Sequence, residues 1–476
     1  MKKNKFDLIV IGAGAGGLVS SSFAAGLGLH VALVSDGHPG GECLWSGCVP
    51  SKALIHNAAV AKVLRSYAGD LVAENAMPFG SAMANMREAR ARVSHHDSVE
   101  TVEKSGVKVV QGRAKFIDSG SVEVDGKTLT AHKFIIATGG YQAIPDVPGL
   151  RESGCLTHET IVDLEEAPRH LLIIGGGPVG VEYAQTMRRL GVEVTVAEKN
   201  GRLLNKEETQ TSVLVRQVLE KEGVSVHLQS ELKAVRKTNG RLEATLERAE
   251  GRLQIICDKI LFATGKTPNT SQLGLDRVGV SLTERGFIKV NRHQRTTARN
   301  MWACGDVCGS YQFTHYADHT ARIAVINACL GLPAKSEQHI IPWCTFLDPE
   351  VASVGMRTTE AERQFGKDGI VTLEYGLDDY DRAILDDAAL GFIKAVLTRQ
   401  GKILGVTIVG NRAGEMIHEF ALAMKAGLKV TDIASLIHVY PTMSGSIQNL
   451  CNGYYRAIAK DSWQSKVVKA WASMLR

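Results

Sequence analysis

Cys43 and Cys48 stand five positions apart in Gly40-Gly41-Glu42-Cys43-Leu44-Trp45-Ser46-Gly47-Cys48-Val49-Pro50-Ser51-Lys52. Two thiols at this spacing can be a structural staple, half of a metal clasp, or a redox pair. A staple would close a very small loop and remove little entropy from the unfolded chain. A zinc clasp wants two further Cys or His ligands at short spacing, and none lies nearby. A redox pair wants one thiol held as thiolate. Residues 51–64 read as a helix, whose N-terminal dipole favours an anion at Cys48, and Lys52 adds positive charge.

The elements around this stretch are those of a nucleotide-binding fold. Residues 6–11 read as a buried strand, Gly12-Ala13-Gly14-Ala15-Gly16-Gly17 follows, a helix runs to about Gly28, and residues 30–34 read as a second strand. In such a βαβ unit the glycines Gly12, Gly14 and Gly17 let a pyrophosphate approach backbone amides at the helix N-terminus. The pattern recurs at Gly175-Gly176-Gly177-Pro178-Val179-Gly180, between strands expected at 171–174 and 192–197, with Gly175, Gly177 and Gly180 in the same places. Two complete units imply two dinucleotides. Glu198 ends the second unit where a carboxylate can hold ribose hydroxyls, which favours NADH, and the adjacent Lys199 leaves NADPH open. In the first unit the equivalent place holds Ser35, with Asp36 beside it. Residues 134–139 and 260–265 are matching apolar strands that end in Ala-Thr-Gly, at Thr138-Gly139 and Thr264-Gly265, and residues 301–306 run into Gly305-Asp306. An aspartate there can accept a sugar hydroxyl.

With these motifs in this order, nearly the whole chain resembles the flavoprotein disulfide reductases, which include glutathione reductase, dihydrolipoamide dehydrogenase and mercuric reductase. In that family the cysteine motif reads G-G-T-C-x-x-x-x-G-C-x-P-[ST]-K. Gly40, Gly41, Cys43, Gly47, Cys48, Pro50, Ser51 and Lys52 match it, and Glu42 replaces the threonine. The resemblance selects the redox pair. It implies that Cys43 is the exposed thiol that exchanges with substrate, that Cys48 faces FAD as the charge-transfer thiolate, and that Lys52 and Glu182 form an ion pair beside the flavin. The implied fold is α/β, with two Rossmann-like domains binding FAD and NAD(P) and a C-terminal α+β dimerisation domain. Expected bounds are 1–150 and 276–340 for the two parts of the FAD-binding domain, 151–275 for NAD(P), 341–460 for the interface domain of a homodimer, and 461–476 for an amphipathic tail. Within the interface domain, 391–394 and 402–405 suggest a two-strand meander before a helix at 414–426.

One departure bears on the substrate. Disulfide reductases of the family carry His-Pro-Thr, with a glutamate four residues past the proline, as acid and base for the thiols. Here Tyr440-Pro441-Thr442 stands in its place and Gly445 in the place of the glutamate. A phenol with a reference pKa of about 10 is a poor base near neutrality. His438 could face the same side of an extended segment as a substitute base, although a packing or hydrogen-bonding role is the expectation. Mercuric reductases also have tyrosine here, since a soft metal ion passes between thiolates without a general base. The reading is therefore a mercuric-reductase-like NAD(P)H oxidoreductase passing electrons through flavin and Cys43–Cys48 to a soft acceptor: a metal ion, a small disulfide or a quinone. Against mercury itself, the tail has no cysteine pair and no N-terminal Cys-x-x-Cys domain is present. The alternatives are a dihydrolipoamide dehydrogenase with a non-standard base and a slow-turnover redox sensor.

The remaining features narrow the classes. A net charge of +5 spread without long like-charge runs argues against nucleic acid. Nine cysteines, mostly scattered, suggest a reducing compartment, and the cytoplasm is expected. The charged start and apolar run that follow Met1 mimic a signal peptide, but Asp7 and the glycine register fit a soluble fold better. Cys155, Cys257, Cys329, Cys344 and Cys451 read as small buried hydrophobes, and Cys304 with Cys308 as a flavin-side turn rather than a second redox site. Trp463, Val467, Trp471 and Met474 share a helical face, for which packing on the body is favoured over peripheral membrane contact.

Overall fold

The computed structural model describes residues 4–68 and 77–459, together with 471, 473 and 474. The chain forms two compact units, one of residues 1–201 and 220–337, the other of 202–219 and 338–476.

The first unit contains two parallel sheets. Strand β1 (Lys5–Ile11) has the burial expected of a central strand and pairs in parallel with β2 (Val31–Ser35) on one side and with Lys127–Ile136 on the other. Val107–Gln111 extends the sheet beyond β2, and Met301–Ala303 pairs in parallel with residues 134–136. An antiparallel pair, Ser121–Val124 and Ala114–Asp118, completes it. Helix α1 (Ala15–Gly26) links β1 to β2 and packs against Thr314–Val325. The sheet is apolar on both faces, as parallel sheets covered by helices require. Phe116 and Phe134 meet edge to face at 5.2 Å on one side, while Leu8, Val10 and Leu33 pack under α1 on the other. Each such fully buried side chain contributes about 1.5–3 kcal/mol.

The second parallel sheet runs Ser225–His227, Glu193–Ala197, His170–Ile174, Lys259–Phe262 and is flanked by a three-stranded antiparallel sheet, Glu231–Thr238, Arg241–Arg248 and Gly251–Cys257. A short antiparallel ribbon, Gly140–Gln142 against Lys266–Pro268, joins the chain just past the two Ala-Thr-Gly ends.

In the second unit the expected meander is the centre of a five-stranded antiparallel sheet, Trp343–Thr345, Glu350–Gly355, Ile403–Gly410, Phe392–Thr398, Ile370–Gly376, and the expected helix is Ala413–Ala426. This unit also takes residues 202–219. The reason is two carboxylates: Glu207 accepts from Trp343 Nε1 at 2.6 Å and Ser353 Oγ at 2.7 Å, and Glu208 from Thr358 N at 2.6 Å and Lys394 Nζ at 3.1 Å. The expected amphipathic tail lies outside the described residues apart from positions 471, 473 and 474, where Trp471 and Met474 are exposed. Among the described residues no helix is long and apolar enough to cross a membrane.

Candidate active site

The dithiol is carried by two consecutive helices. The short α2 (Gly41–Trp45) holds Cys43, and α3 (Cys48–Ala68) begins at Cys48 itself, three residues earlier than the sequence pattern suggests. Pro50 sits in the first turn, where a missing N–H costs nothing, so it starts the helix rather than delaying it. The loop is pinned by Trp45 Nε1 donating to Pro39 O at 2.8 Å, by Arg90 Nη1 donating to Trp45 O at 3.0 Å, and by fully buried Leu44.

Counting the protein's own atoms alone, Cys48 is exposed and Cys43 half-buried, and a flavin beside Cys48, as the family resemblance implies, would cover that sulfur. Cys43 lies mid-helix under the Gly47 turn, whereas Cys48 opens α3; a Cβ on Gly47 would come within 3.4 Å of Cys43 Cα. The two sulfurs share a hydrogen bond. That bond, donated by Cys43, is the main cause that brings Cys48 down to about 6; burial opposes it, the Thr314 hydroxyl at 3.3 Å and the Lys52 cation assist, and the Glu42 carboxylate opposes. Cys43 is pushed up by the same bond and by burial. In the dithiol state the proton therefore rests on Cys43 and the negative charge on Cys48. Alkylation of the reduced protein with iodoacetamide should then rise at Cys48 as pH passes about 6, rather than the ordinary thiol value near 9, with Cys43 unreactive across that range; site-resolved mass spectrometry reads both.

Lys52 Nζ, one turn along α3, lies 2.9 Å from Glu182 Oε2, with the Glu182 side chain only 8% exposed on the helix Pro178–Arg189. Glu42 is part of a cluster that the sequence pattern did not reveal. Lys266 Nζ donates to Glu42 Oε2 at 2.7 Å and to Asp306 Oδ2 at 2.8 Å, and His158 Nε2 lies 3.1 Å from Glu42 Oε1. Glu42 had been visible only as a mismatch to a motif, and Thr314 and Lys266 carried no signal at all.

The nucleotide motifs form close backbone cradles. A Cβ at Gly17 would lie 1.7 Å from Gly12 O, and one at Gly180 1.9 Å from Gly175 O, so only glycine lets each helix come this close to its turn. The caps of both helices, Gly14 and Gly177, make no side-chain hydrogen bond to the helix amides, and neither first turn carries an acid, which suits a phosphate ligand. Both sets of residues thus fit a dinucleotide. Glu198 is buried, its oxygens accepting from Gly176 N at 2.5 Å and from Asn200 N at 2.6 Å, so any ribose hydroxyl would share a carboxylate that also holds the turn. Lys199 is drawn to Glu231 at 3.0 Å. Asp36 pairs with Arg113 at 3.0 Å, and Ser35 Oγ accepts from Gly37 N at 3.3 Å. Thr138 Oγ1 donates to Asn269 O at 2.7 Å, Gly139 is left-handed, and Gly265 O accepts from Gln142 Nε2 at 2.8 Å.

In the second unit Tyr440 is 72% exposed and donates to Asp381 Oδ2 at 2.7 Å, a bond that pushes its phenol further up. His438 turns to different partners, with Nε2 3.0 Å from Glu419 Oε1 and its side chain 7% exposed, so the two do not share one face. Of the remaining cysteines, Cys257, Cys304 and Cys451 are buried, whereas Cys155, Cys308, Cys329 and Cys344 are only half-buried. Burial pushes Cys304 up to about 12 and Cys308 well above its ordinary value, which disfavours thiolate chemistry at that pair. Among the described residues no group of three or more His, Cys, Asp or Glu is arranged to hold a metal ion.

Residues 6–321 match the family model described as pyridine nucleotide-disulphide oxidoreductase, and residues 341–451 match the dimerisation domain of the same family. Over 466 residues the chain is 33% identical to a mercuric reductase of Streptomyces lividans, covering 96% of this chain and 97% of that one. It is 34% identical over 449 residues to a dihydrolipoyl dehydrogenase of Geobacillus stearothermophilus, covering 92% and 93%. The solved Cu(II) complex of the HOCl-induced flavoprotein disulfide reductase RclA from Escherichia coli superposes with a TM-score of 0.83 at 27% identity, over 94% of this chain and 99% of that one.

Proposed function

The chain belongs to the pyridine nucleotide-disulphide oxidoreductase family, enzymes that bind FAD and pyridine nucleotides, and from that premise we propose that it spends NAD(P)H on reducing a soft acceptor through Cys43 and Cys48. The observation that carries this reading is the placement of Cys48 at the start of α3, beside Cys43, 3.3 Å from Thr314 Oγ1 and one turn before Lys52, an arrangement that favours its thiolate. FAD, when bound, would supply the two-electron connection between nicotinamide and disulfide. Gly12, Gly14, Gly17, Gly41, Thr138, Gly139, Gly305 and Asp306 would hold it, with Ser35 or Asp36 at its ribose. Gly175, Gly177, Gly180, Glu198 and Gly265 would hold the nicotinamide nucleotide. NADH is favoured because Lys199 is already paired with Glu231, which weakens its attraction for a 2′-phosphate.

In this scheme the disulfide takes two electrons and one proton, leaving the Cys43 thiol and the Cys48 thiolate. Oxidation of the pair by the acceptor restores the disulfide and releases the Cys43 proton. Glu182 orients Lys52, and Lys52 keeps the charge on Cys48. Tyr440, bound to Asp381 with its proton held more tightly, is badly suited to take protons from a thiol substrate. That favours acceptors that need no general base, such as a soft metal ion, over lipoamide and glutathione; small disulfides and quinones are the other candidates. The family's dimerisation domain supports a homodimer, the domain bounds given above divide the nucleotide sections, and a cytoplasmic setting would keep the dithiol reduced.

A second reading, dihydrolipoamide oxidation, is favoured by the similarity to dihydrolipoyl dehydrogenases. One assay set separates the readings. Steady NADH consumption with Cu(II), Hg(II) or a quinone, at rates at least about tenfold above those with lipoamide or glutathione disulfide, is the expected result. Robust NAD-linked oxidation of dihydrolipoamide would support the second reading, and a single reduction without turnover would support a redox sensor.

A further inference from the structure

Apart from Asp306, the cluster around Glu42 has no part in the scheme above, yet it joins the dithiol helix to the Gly305–Asp306 turn. Glu42 is the residue immediately before Cys43 on α2. Lys266 is the first residue of the ribbon strand Lys266–Pro268, one position past Gly265. Asp306 lies in the turn Gly305–Cys308. One ammonium, 19% exposed, is thus shared between the dithiol helix and that turn, at 2.7 and 2.8 Å. The cluster closes on itself: His158 Nε2 lies 3.1 Å from Glu42, His158 Nδ1 lies 3.2 Å from Gln142 Oε1, and Gln142 is the register partner of Lys266 in the ribbon.

We propose that Glu42, Lys266, Asp306 and His158 form a positioning clamp that fixes the dithiol helix against the Gly305–Asp306 turn and sets the charge that Cys48 meets. This rests on the reading of Cys48 as the working thiolate. Burial by itself would push the Glu42 carboxyl up; the His158 ring 3.1 Å away and the charge and hydrogen bond of Lys266 reverse this and hold it at about 2. Lys266 is held above its ordinary value although burial pulls it down, because Asp306 and Glu42 outweigh burial. Both groups therefore stay charged at any working pH. A part-buried ion cluster of this kind is costly to break from one side, since the remaining charge is left without its partner. The groups that face Glu42 are His158 and Lys266; Asp306 stands behind Lys266, and Glu159 lies 3.9 Å from His158. Those that face Cys48 are Cys43, Thr314, Lys52 and Glu42, of which Glu42 alone among the charged groups disfavours the thiolate. Lys266 then acts on Cys48 through Glu42, by neutralising it.

The test is a double-mutant cycle on the FAD-loaded protein with Glu42→Gln, Lys266→Met, the pair together, and Lys266→Arg. The readouts are the pH midpoint of the thiolate-to-flavin absorbance after anaerobic reduction, and the midpoint of Cys48 alkylation by mass spectrometry. Glu42→Gln should lower the midpoint by about half a pH unit, about threefold more thiolate at a given acidic pH. Lys266→Met should raise it by a similar amount, the double variant should match Glu42→Gln because Lys266 acts on Cys48 only through Glu42, and Lys266→Arg should restore the wild-type value. Unchanged midpoints in both single variants, or shifts of one sign, would overturn the clamp. If Lys266→Met does not accumulate as folded protein, a Glu42→Gln midpoint at or above that of wild type overturns it as well. A wild-type protein without a thiolate titrating near pH 6 would instead sink the catalytic reading, which keeps the two failures apart.

Discussion

Cys48→Ser should abolish both the long-wavelength absorbance of the two-electron-reduced protein and acceptor reduction, the latter by on the order of a thousandfold or more, the scale on which loss of an essential nucleophile registers. The geometry makes this residue specific. Cys48 opens α3, where the helix dipole, the Thr314 hydroxyl at 3.3 Å, Lys52 and the Cys43 S–H all favour negative charge on its sulfur. Serine at that place could not hold the charge, since an alcohol does not ionise in this range. Cys43→Ser is the informative contrast. It cannot form the disulfide, so turnover should fall as far, but the Cys48 thiolate survives and the absorbance should be present before any reductant is added. Anaerobic titration of the three proteins with NADH measures both effects. Identical flavin bleaching in all three would remove the cysteines from the electron path and leave direct flavin chemistry.

The second large effect belongs to the nucleotide cradle. Gly180→Ala would place a methyl group 1.9 Å from Gly175 O, inside any tolerable contact, so the turn and the helix Pro178–Arg189 must separate. Reduction by NADH should fall by about a hundredfold or more, whereas chemical reduction by dithionite should still produce the Cys48 thiolate absorbance. Gly17→Ala, with its methyl 1.7 Å from Gly12 O, should instead lose bound flavin during purification. Stopped-flow reduction and flavin-to-protein absorbance ratios distinguish the two. Equal loss of both properties in both variants would show general unfolding rather than two separate cradles.

Much of this was legible in the sequence because it is local. The glycine register fixed β1, α1 and β2 to within a residue or two, and the repeat at Gly175 did the same for the second sheet, since tight turns and apolar strands are written in neighbouring residues. Helix α3 starts three residues before the expected position 51, with Pro50 inside its first turn, where a missing N–H is tolerated. Glu42 joins a partner 224 positions away, and Lys266 one 40 positions away. No periodicity carries such contacts. The attachment of residues 202–219 to the second unit rests likewise on Glu207 and Glu208 finding partners beyond position 340.

The ribbon of Gly140–Gln142 against Lys266–Pro268 has a consequence for anyone recombining this scaffold. The chain leaves one Ala-Thr-Gly end and enters the other segment through strands that are stitched together, so the cofactor-swapping cassette is not simply the stretch between them. A chimera that imports the intervening section from a relative and cuts between Gln142 and Lys266 keeps both stitches native. A cut that takes Lys266 but leaves Gln142 behind splits a matched pair, and with it the donor to Glu42, and such grafts should express with mispositioned thiols even when every nucleotide motif is intact.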